Sequence, residues 1–315
     1  MTRVLVTGGA GFIGSHTVEL LLEKEFDVVI LDNFRTSSKQ NIENIKGIRD
    51  KNKKLIIVQG DIRDPIVIRE AIKDIDAVIH LAAIVSVDEA TKWPELTFQV
   101  NAEGTLNILE ALRRFDVEKI VYASSSAVYG DPLYLPIDEK HPLFPKNPYG
   151  ASKLAGEALV NAYHQTYGLK AVVLRYFNVY GPRMPPGLYS GVILKFIKAA
   201  IRNDPLVIFG DGTQLRDFVY VTDVARANVV AVEKNISGVF NIGTGSGTSI
   251  LDLAKKVIEL TNSKSEITFS EPRPGDIKKS IASIERAKKI LTWRPEVSLE
   301  EGLKKTIRYY VNCGK

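Results

Sequence analysis

Short apolar runs recur through the first 175 residues, at 4–6, 28–31, 55–58, 77–81, 120–123 and 171–174. Longer stretches lie between them, with apolar residues on one face. This spacing predicts helices over about 11–24, 94–114 and 148–167. Strands that are apolar throughout, rather than alternating, imply a sheet covered on both faces. Repeated strand–helix units imply parallel strands joined by right-handed crossovers. The expected fold class is therefore α/β, a doubly wound parallel sheet. After Tyr176 the rhythm changes, and glycine and proline become dense at 181–191, 210–212 and 272–275. These segments predict a smaller, partly interleaved α/β lobe, with 222–233 and 239–242 returning to the sheet. The expected division is 1–175 plus about 218–245 for the first domain, and 176–217 plus 246–315 for the second.

Composition narrows the function classes. With 315 residues, 45% hydrophobic and 25% charged, the chain is an ordinary globular one that can bury a large core without staples. Forty-two Lys and Arg against 37 Asp and Glu leave a net charge of +5. The lysines gather in short clusters, 51–54 and 278–279, without interleaved aromatics, which reads as solvated surface and not as a nucleic-acid track. The longest uncharged run, 235–251, holds four glycines and does not read as a membrane span. Residues 1–10 read as strand and turn, not as a secretion signal, so the expected location is cytoplasmic. Cys313 is the one cysteine, which excludes an intramolecular disulfide, and the four histidines show no metal-ligand spacing. No metal is expected.

The first turn carries the first chemical signal. Gly8, Gly11 and Gly14 directly follow the first strand and open the first helix. Glycines at these positions allow a tight turn, close approach to a pyrophosphate and close helix packing. The helix N-terminus adds N–H groups for the anion. Asp32 ends the second strand, where a carboxylate accepts bonds from both ribose hydroxyls and repels a 2′-phosphate. NAD is favoured over NADP, although Arg35 lies close enough to argue the other way. Asp61, after the third strand, is placed to bond an adenine amino group. His80, Leu81, Ala82 and Ala83 end the fourth strand with small residues that let a cofactor approach; His80 itself reads as a satisfied core histidine.

A second constellation follows. Tyr149 and Lys153 share a helix face at i and i+4. An ammonium beside a phenol favours the phenolate, and the nicotinamide of NAD⁺ would add a second positive charge. An unperturbed tyrosine, with a pKa of about 10, is a poor base at neutral pH. Ser124, Ser125 and Ser126 end the fifth strand at the carboxyl edge, where such sheets bind ligands.

Together these residues resemble the extended short-chain dehydrogenases/reductases of Rossmann fold, in particular the nucleotide-sugar epimerases and dehydratases, over essentially the whole chain. The resemblance is carried by the glycine turn from Thr7 to Gly14, Asp32-Asn33, His80 to Ala83, and the serines before Val128-Tyr129-Gly130. Further motifs are Tyr149 with Lys153, Arg175 to Pro182, Gly210 to Phe218, and Pro272 to Asp276. It implies that Ser125 is the catalytic hydroxyl, working with Tyr149 and Lys153. It implies cofactor contacts from Phe12, Ile13, Asn33, Ile62, Asn101 and Phe177 in addition to those above. On the substrate side it implies Asn178, Arg216 and Arg273 at the diphosphate and ribose, with Val192, Val207, Phe209 and Asp276 nearby. The arginine fork suits phosphate oxygens. A homodimer through the helices near 94–114 and 148–167 is also implied, with a UDP-sugar as the small-molecule partner.

The reaction type follows from what is missing. Family members that eliminate water carry an Asp-Glu pair after the catalytic hydroxyl, and decarboxylating members a Glu at the second place. Here those positions are Ser126 and Ala127. What remains is reversible oxidation at one sugar carbon, which the resemblance implies is NAD-dependent 4-epimerisation of a UDP-hexose through a 4-keto sugar. Alternatives are a UDP-glucuronate or dTDP-sugar epimerase, or a non-catalytic NAD-binding scaffold. Substrate breadth is expected to rest on Ser280, where a tyrosine would resemble enzymes confined to glucose and galactose and a small residue those that also take N-acetyl sugars. A one-residue slip would put Lys279 or Ile281 there instead.

Overall fold

The computed structural model describes residues 2–37, 39–47, 55–185, 187, 191–272 and 277–313. The chain opens with β1 (Arg3–Thr7), α1 (Phe12–Glu23), β2 (Asp27–Asp32), α2 (Lys39–Gly47), β3 (Leu55–Gln59), α3 (Pro65–Ala71) and β4 (Ala77–His80). It continues through α4 (Val87–Lys92), α5 (Pro94–Phe98), a π-helical segment (Gln99–Glu103), α6 (Gly104–Arg114), β5 (Lys119–Ser125), α7 (Pro148–Tyr167) and β6 (Lys170–Tyr176). The helix expected over 94–114 is thus one helical path interrupted by a π turn; helix 148–167 is as the spacing predicts.

The remaining elements are β7 (Asn178–Tyr180), α8 (Val192–Arg202), β8 (Leu206–Phe209), β9 (Leu215–Arg216), β10 (Phe218–Tyr220), α9 (Val221–Glu233) and β11 (Gly238–Ile242). Last come β12 (Thr248–Ser249), α10 (Ile250–Thr261), β13 (Ile267–Ser270), β14 (Lys279–Ser280) and α11 (Leu299–Cys313).

Seven parallel strands form one sheet in the order β11-β6-β5-β4-β1-β2-β3. The order reverses between β1 and β4, and ligands of such sheets bind outside the carboxyl ends at that point. One face is covered by α1 and α9, which pack on each other, with Val18, Leu21, Val224 and Val229 against Val6, Ile30 and Val121. The other face is covered by α3, α6 and α7, where Ile68, Ile108, Leu112 and Val160 meet Leu5, Val78 and Ile120. Two buried faces explain why the strands read as continuous apolar runs.

A third core lies off the sheet, between α8, α10 and α11, built on Ile193, Ile197, Leu253, Val257 and Leu303. Around it sit small strand sets: β10 with β7, β13 with β8, and β12-β9-β14. As expected from the sequence, residues 221–233 return to the sheet as a helix on its face and 238–242 as its outermost strand beside β6. No helix among the described residues is long and apolar enough to cross a membrane, and no group of three or more His, Cys, Asp or Glu among them is placed to hold a metal.

Candidate active site

A cavity of about 1250 Å³ opens at the carboxyl edge of the sheet and runs into the second lobe. Its cofactor wall begins at the glycine turn. Gly8 has φ +69°, and a Cβ there would lie 2.9 Å from the Ala82 amide nitrogen; a Cβ on Gly14 would lie 2.1 Å from the Gly8 carbonyl oxygen. Side chains at these positions would push β1 off β4 or α1 off the turn. Gly11 is the N-cap of α1 and no side chain caps that helix, so its first N–H groups face the cavity that Gly11, Phe12 and Ile13 line.

Asp32 ends β2 at the same wall. Its carboxylate accepts from the Ala10 amide (3.0 Å), the Phe34 amide (2.8 Å) and the Ser37 hydroxyl (3.0 Å). Asn33 donates to Asp61 (3.0 Å), and Arg63 forks onto Asp61 through Nε and Nη2, both at 2.9 Å. Those bonds, the Arg63 ones first, hold Asp61 down at about 2. Ile62, Leu81, Ala82, Ala83 and Phe177 also line the cavity. A cradle closed to side chains, an uncapped helix start and an oriented acid fit a dinucleotide.

His80 is a core histidine, as its position implies. Thr7 Oγ1 lies 2.7 Å from Nδ1 and Thr105 Oγ1 3.1 Å from Nε2. Burial, helped by the Lys153 charge, lowers its pKa to about 3. Asn101 departs from expectation. It is 1% exposed, does not line the cavity, and clamps the backbone of Ile84, accepting from its amide (2.8 Å) and donating to its carbonyl (2.9 Å). Its amide also donates to Ser152 Oγ (2.9 Å). Asn101 sits buried in the π turn, where it braces the Ile84 backbone against α7.

The chemical centre sits where β5 and α7 meet. Asn147 caps α7 by accepting from the Gly150 amide (2.9 Å), and Pro148 occupies the first turn, which fixes Tyr149 beside it. Ser125, Tyr149 and Lys153 all line the cavity, with the Ser125 hydroxyl near enough to the Tyr149 phenol to influence its pKa. The Lys153 ammonium lies 4.7 Å over the Tyr122 ring. Burial pushes Lys153 down to about 8, with Glu157 working the other way. Lys153 does not dominate Tyr149 as the i, i+4 spacing implies: burial raises the phenol, and the Ser125 hydroxyl is the opposing influence. Beneath them lies a polar network that sequence spacing did not reveal. Glu157 pairs with Arg175 (2.6 Å) and accepts from Ser124, while Arg175 donates to the Tyr129 hydroxyl (2.9 Å). The available signal was Glu157, one turn beyond Lys153 on the same face.

The opposite wall belongs to the second lobe. Asn178, Val192, Phe209, Arg216 and Ser280 line it. Val207 does not. Along β8, Leu206 and Ile208 point into the third core, and Val207 lies on the Phe209 side but one pleat back, 46% exposed. Ser280 pairs with Arg216 between β14 and β9 and is buried against the cavity, while Lys279 faces solvent and the Ile281 side chain packs toward Gly247. Arg273 and Asp276 lie outside the described residues.

Asp217 organises this wall and was not singled out by sequence. Its fully buried carboxylate accepts from the Thr244 amide (2.7 Å) and hydroxyl (2.6 Å), the Gly245 amide (2.9 Å) and the Ala282 amide (3.1 Å). Its carbonyl accepts from Asn178 through both the amide nitrogen (3.0 Å) and Nδ2 (3.1 Å), and its own amide donates to Ser280 (3.0 Å).

Comparison with known proteins agrees with this geometry. The family model described as GDP-mannose 4,6 dehydratase matches residues 5–306. The UDP-glucose 4-epimerase of Lacticaseibacillus casei is 38% identical over 313 residues, covering 93% of this chain and 91% of that one. Among solved structures, UDP-glucose 4-epimerase from Thermotoga maritima with UDP-glucose superposes with a TM-score of 0.93 at 38% identity, covering 100% of both chains. The UDP-glucose 4-epimerase of Thermus thermophilus in complex with NAD gives 0.89 at 39% identity, covering 98% of this chain and 99% of that one. A glycine cradle at the switch point, a tyrosine–lysine pair on α7 and these relatives lead to one conclusion: the chain belongs to the GDP-mannose 4,6 dehydratase family, within the extended short-chain dehydrogenases/reductases.

Proposed function

We propose that the protein is an isomerase that interconverts UDP-hexoses at C4 with NAD as its cofactor. The observation that carries this reading is the meeting of two walls in one cavity. Ser125, Tyr149 and Lys153 stand on the sheet side, and Asn178 and Arg216 face them from the second lobe. Bound NAD supplies a reversible hydride acceptor and a positive charge beside the phenol. The Tyr149 phenolate takes the C4 hydroxyl proton as the C4 hydride leaves, giving a 4-keto sugar. Lys153 stabilises the phenolate, and the Ser125 hydroxyl carries the proton between sugar and phenol. Arg216 and Asn178 hold the diphosphate and ribose while the keto sugar turns over. Tyr149 returns the proton in the reverse step, and with the hydride that bound NAD would give back to the opposite face, no net oxidation would remain. Ser126 and Ala127, where relatives with other reactions place carboxylates, give no acid or base for elimination or decarboxylation.

Further parts of the reading rest on position. The sheet domain, 1–175 with 218–245, holds the cofactor, and 176–217 with 246–315 hold the sugar nucleotide; the separate third core supports that division. Arg273 and Asp276 extend the diphosphate grip. The small Ser280 admits N-acetyl sugars as well as glucose and galactose, and galactose metabolism is the corresponding role. A homodimer through α5, α6 and α7 would cover Phe98, Leu106, Phe115 and Tyr167, which are exposed on those helices and the turns that end them. The lone Cys313 fits a cytoplasmic setting.

The test is an epimerisation assay over UDP-glucose, UDP-galactose and their N-acetyl counterparts, with and without added NAD. Interconversion of the glucose–galactose pair is the expected result. No turnover of any UDP-hexose with NAD present would overturn the reading.

A further inference from the structure

The adenosine end of the cavity holds two arginines, and an arginine near the acid that ends β2 is the usual partner of a 2′-phosphate. Arg35 lies three residues beyond Asp32, and both line the cavity. Its guanidinium is already engaged. Nη2 donates to Glu89 Oε1, on α4 and 54 residues further along the chain. The Glu89 side chain is 5% exposed. It sits in the first turn of α4, where its amide donates to the capping Ser86 hydroxyl (3.2 Å). A carboxylate held that far from water is costly without a matching cation, which keeps Arg35 in place. Arg63 is likewise forked onto Asp61. Asp32 is held by three uncharged donors. Asp32, Asp61 and Asp88 line this end beside Arg35 and Arg63, with Glu89 held against Arg35.

We propose that Glu89 is a specificity-determining residue for the cofactor: by holding Arg35, it denies a 2′-phosphate its guanidinium partner, so NAD is selected over NADP by Glu89 and Asp32 together. Asp32 acts by direct repulsion at the ribose. Glu89 acts at a distance, by occupying Arg35, the first guanidinium after β2.

The test is calorimetric titration of the full chain, freed of bound nucleotide, with NAD and with NADP. Wild type should bind NAD more tightly. Glu89→Gln keeps the shape of the side chain and removes its charge, so NADP affinity should rise about tenfold or more while NAD affinity changes less than about threefold. Adding Arg35→Met to that variant should cancel the gain. Unchanged NADP affinity in Glu89→Gln would overturn the proposal. A gain that survives in the double variant would also overturn it, since loss of negative charge alone would then be the cause. Arg35→Met by itself reads the same point without touching Glu89, should Glu89→Gln fail to fold: the NAD-to-NADP ratio should hold. A further loss of NADP affinity would show that Arg35 already reaches the phosphate, and the proposal would fall. A wild type that binds neither nucleotide would overturn the functional reading and this inference with it.

Discussion

The two walls of the cavity are built in different ways. The cofactor wall comes from consecutive strand–helix units, from the carboxyl ends of parallel strands of four to seven residues and the helix starts that follow them. The substrate wall comes from four separated stretches, near 178, 192, 209–216 and 277–280, carried on strands of two to four residues and the start of α8. Ladders that short contribute little by themselves. The second wall relies instead on one buried carboxylate, Asp217, which ties β9 to β14, to the 244–245 loop and to Asn178. One wall is thus held by a sheet and the other by a hub.

The largest effect is expected where the walls meet. Tyr149→Phe keeps the ring and removes the proton carrier, so turnover should fall about 10²–10⁴-fold with NAD affinity retained. Steady-state rates beside an NAD titration check this; near-normal epimerisation would remove Tyr149 from the mechanism.

The contrast between sheet and hub is sharpened by Asp217→Asn. The amide nitrogen would face backbone N–H groups and lose charge-assisted bonds worth about 1.5–3 kcal/mol each. KM for the UDP-sugar should rise about 10–100-fold while NAD affinity stays within about twofold. If both ligands weaken together, the walls are not separately supported.

Ser280→Tyr tests the substrate wall alone. The ring would fill the space beside Arg216, so activity on the N-acetyl pair should drop at least about tenfold and the glucose–galactose pair should change little. Equal effects on both pairs would break the assignment.

The smallest effect is in pH. Lys153 titrates near 8 in the folded protein. Raising pH through 8 removes the ammonium that stabilises the phenolate, so kcat should decline by a few-fold on that alkaline limb, and the limb should vanish in Lys153→Met. Stability moves the other way. A lysine whose folded pKa is depressed destabilises the native state below about 8, and this penalty is relieved between about 8 and its unfolded value near 10.4. Lys153→Met should therefore lose activity without losing thermal stability at neutral pH.

Much of the cofactor wall was legible because local rules write it: the glycine turn, the acid after β2 and the Tyr149–Lys153 spacing each sit within one strand–helix unit. The failures have physical causes. Asn101 sits buried in a π segment, which no 3.6-residue pattern reveals. Val207 misses the cavity because one strand pleat separates it from Phe209. Burial sets the direction at the Tyr149 phenol, and burial is a property of the whole fold. Asp217 and the Arg35–Glu89 pair depend on partners 27 to 65 and 54 residues away, beyond the reach of spacing.

The third hydrophobic core, between α8, α10 and α11, is distinct from the two that flank the sheet. Mutations among the loops that shape the sugar pocket therefore strain mainly this third core, which meets the sheet side through Ile13 and Val179. A lineage can try new pocket shapes while the hydride-transfer half keeps folding, so selection on sugar preference and selection on foldability act on largely different residues. Descent with changed specificity then requires few simultaneous substitutions, and they would concentrate around β8, β9 and β14.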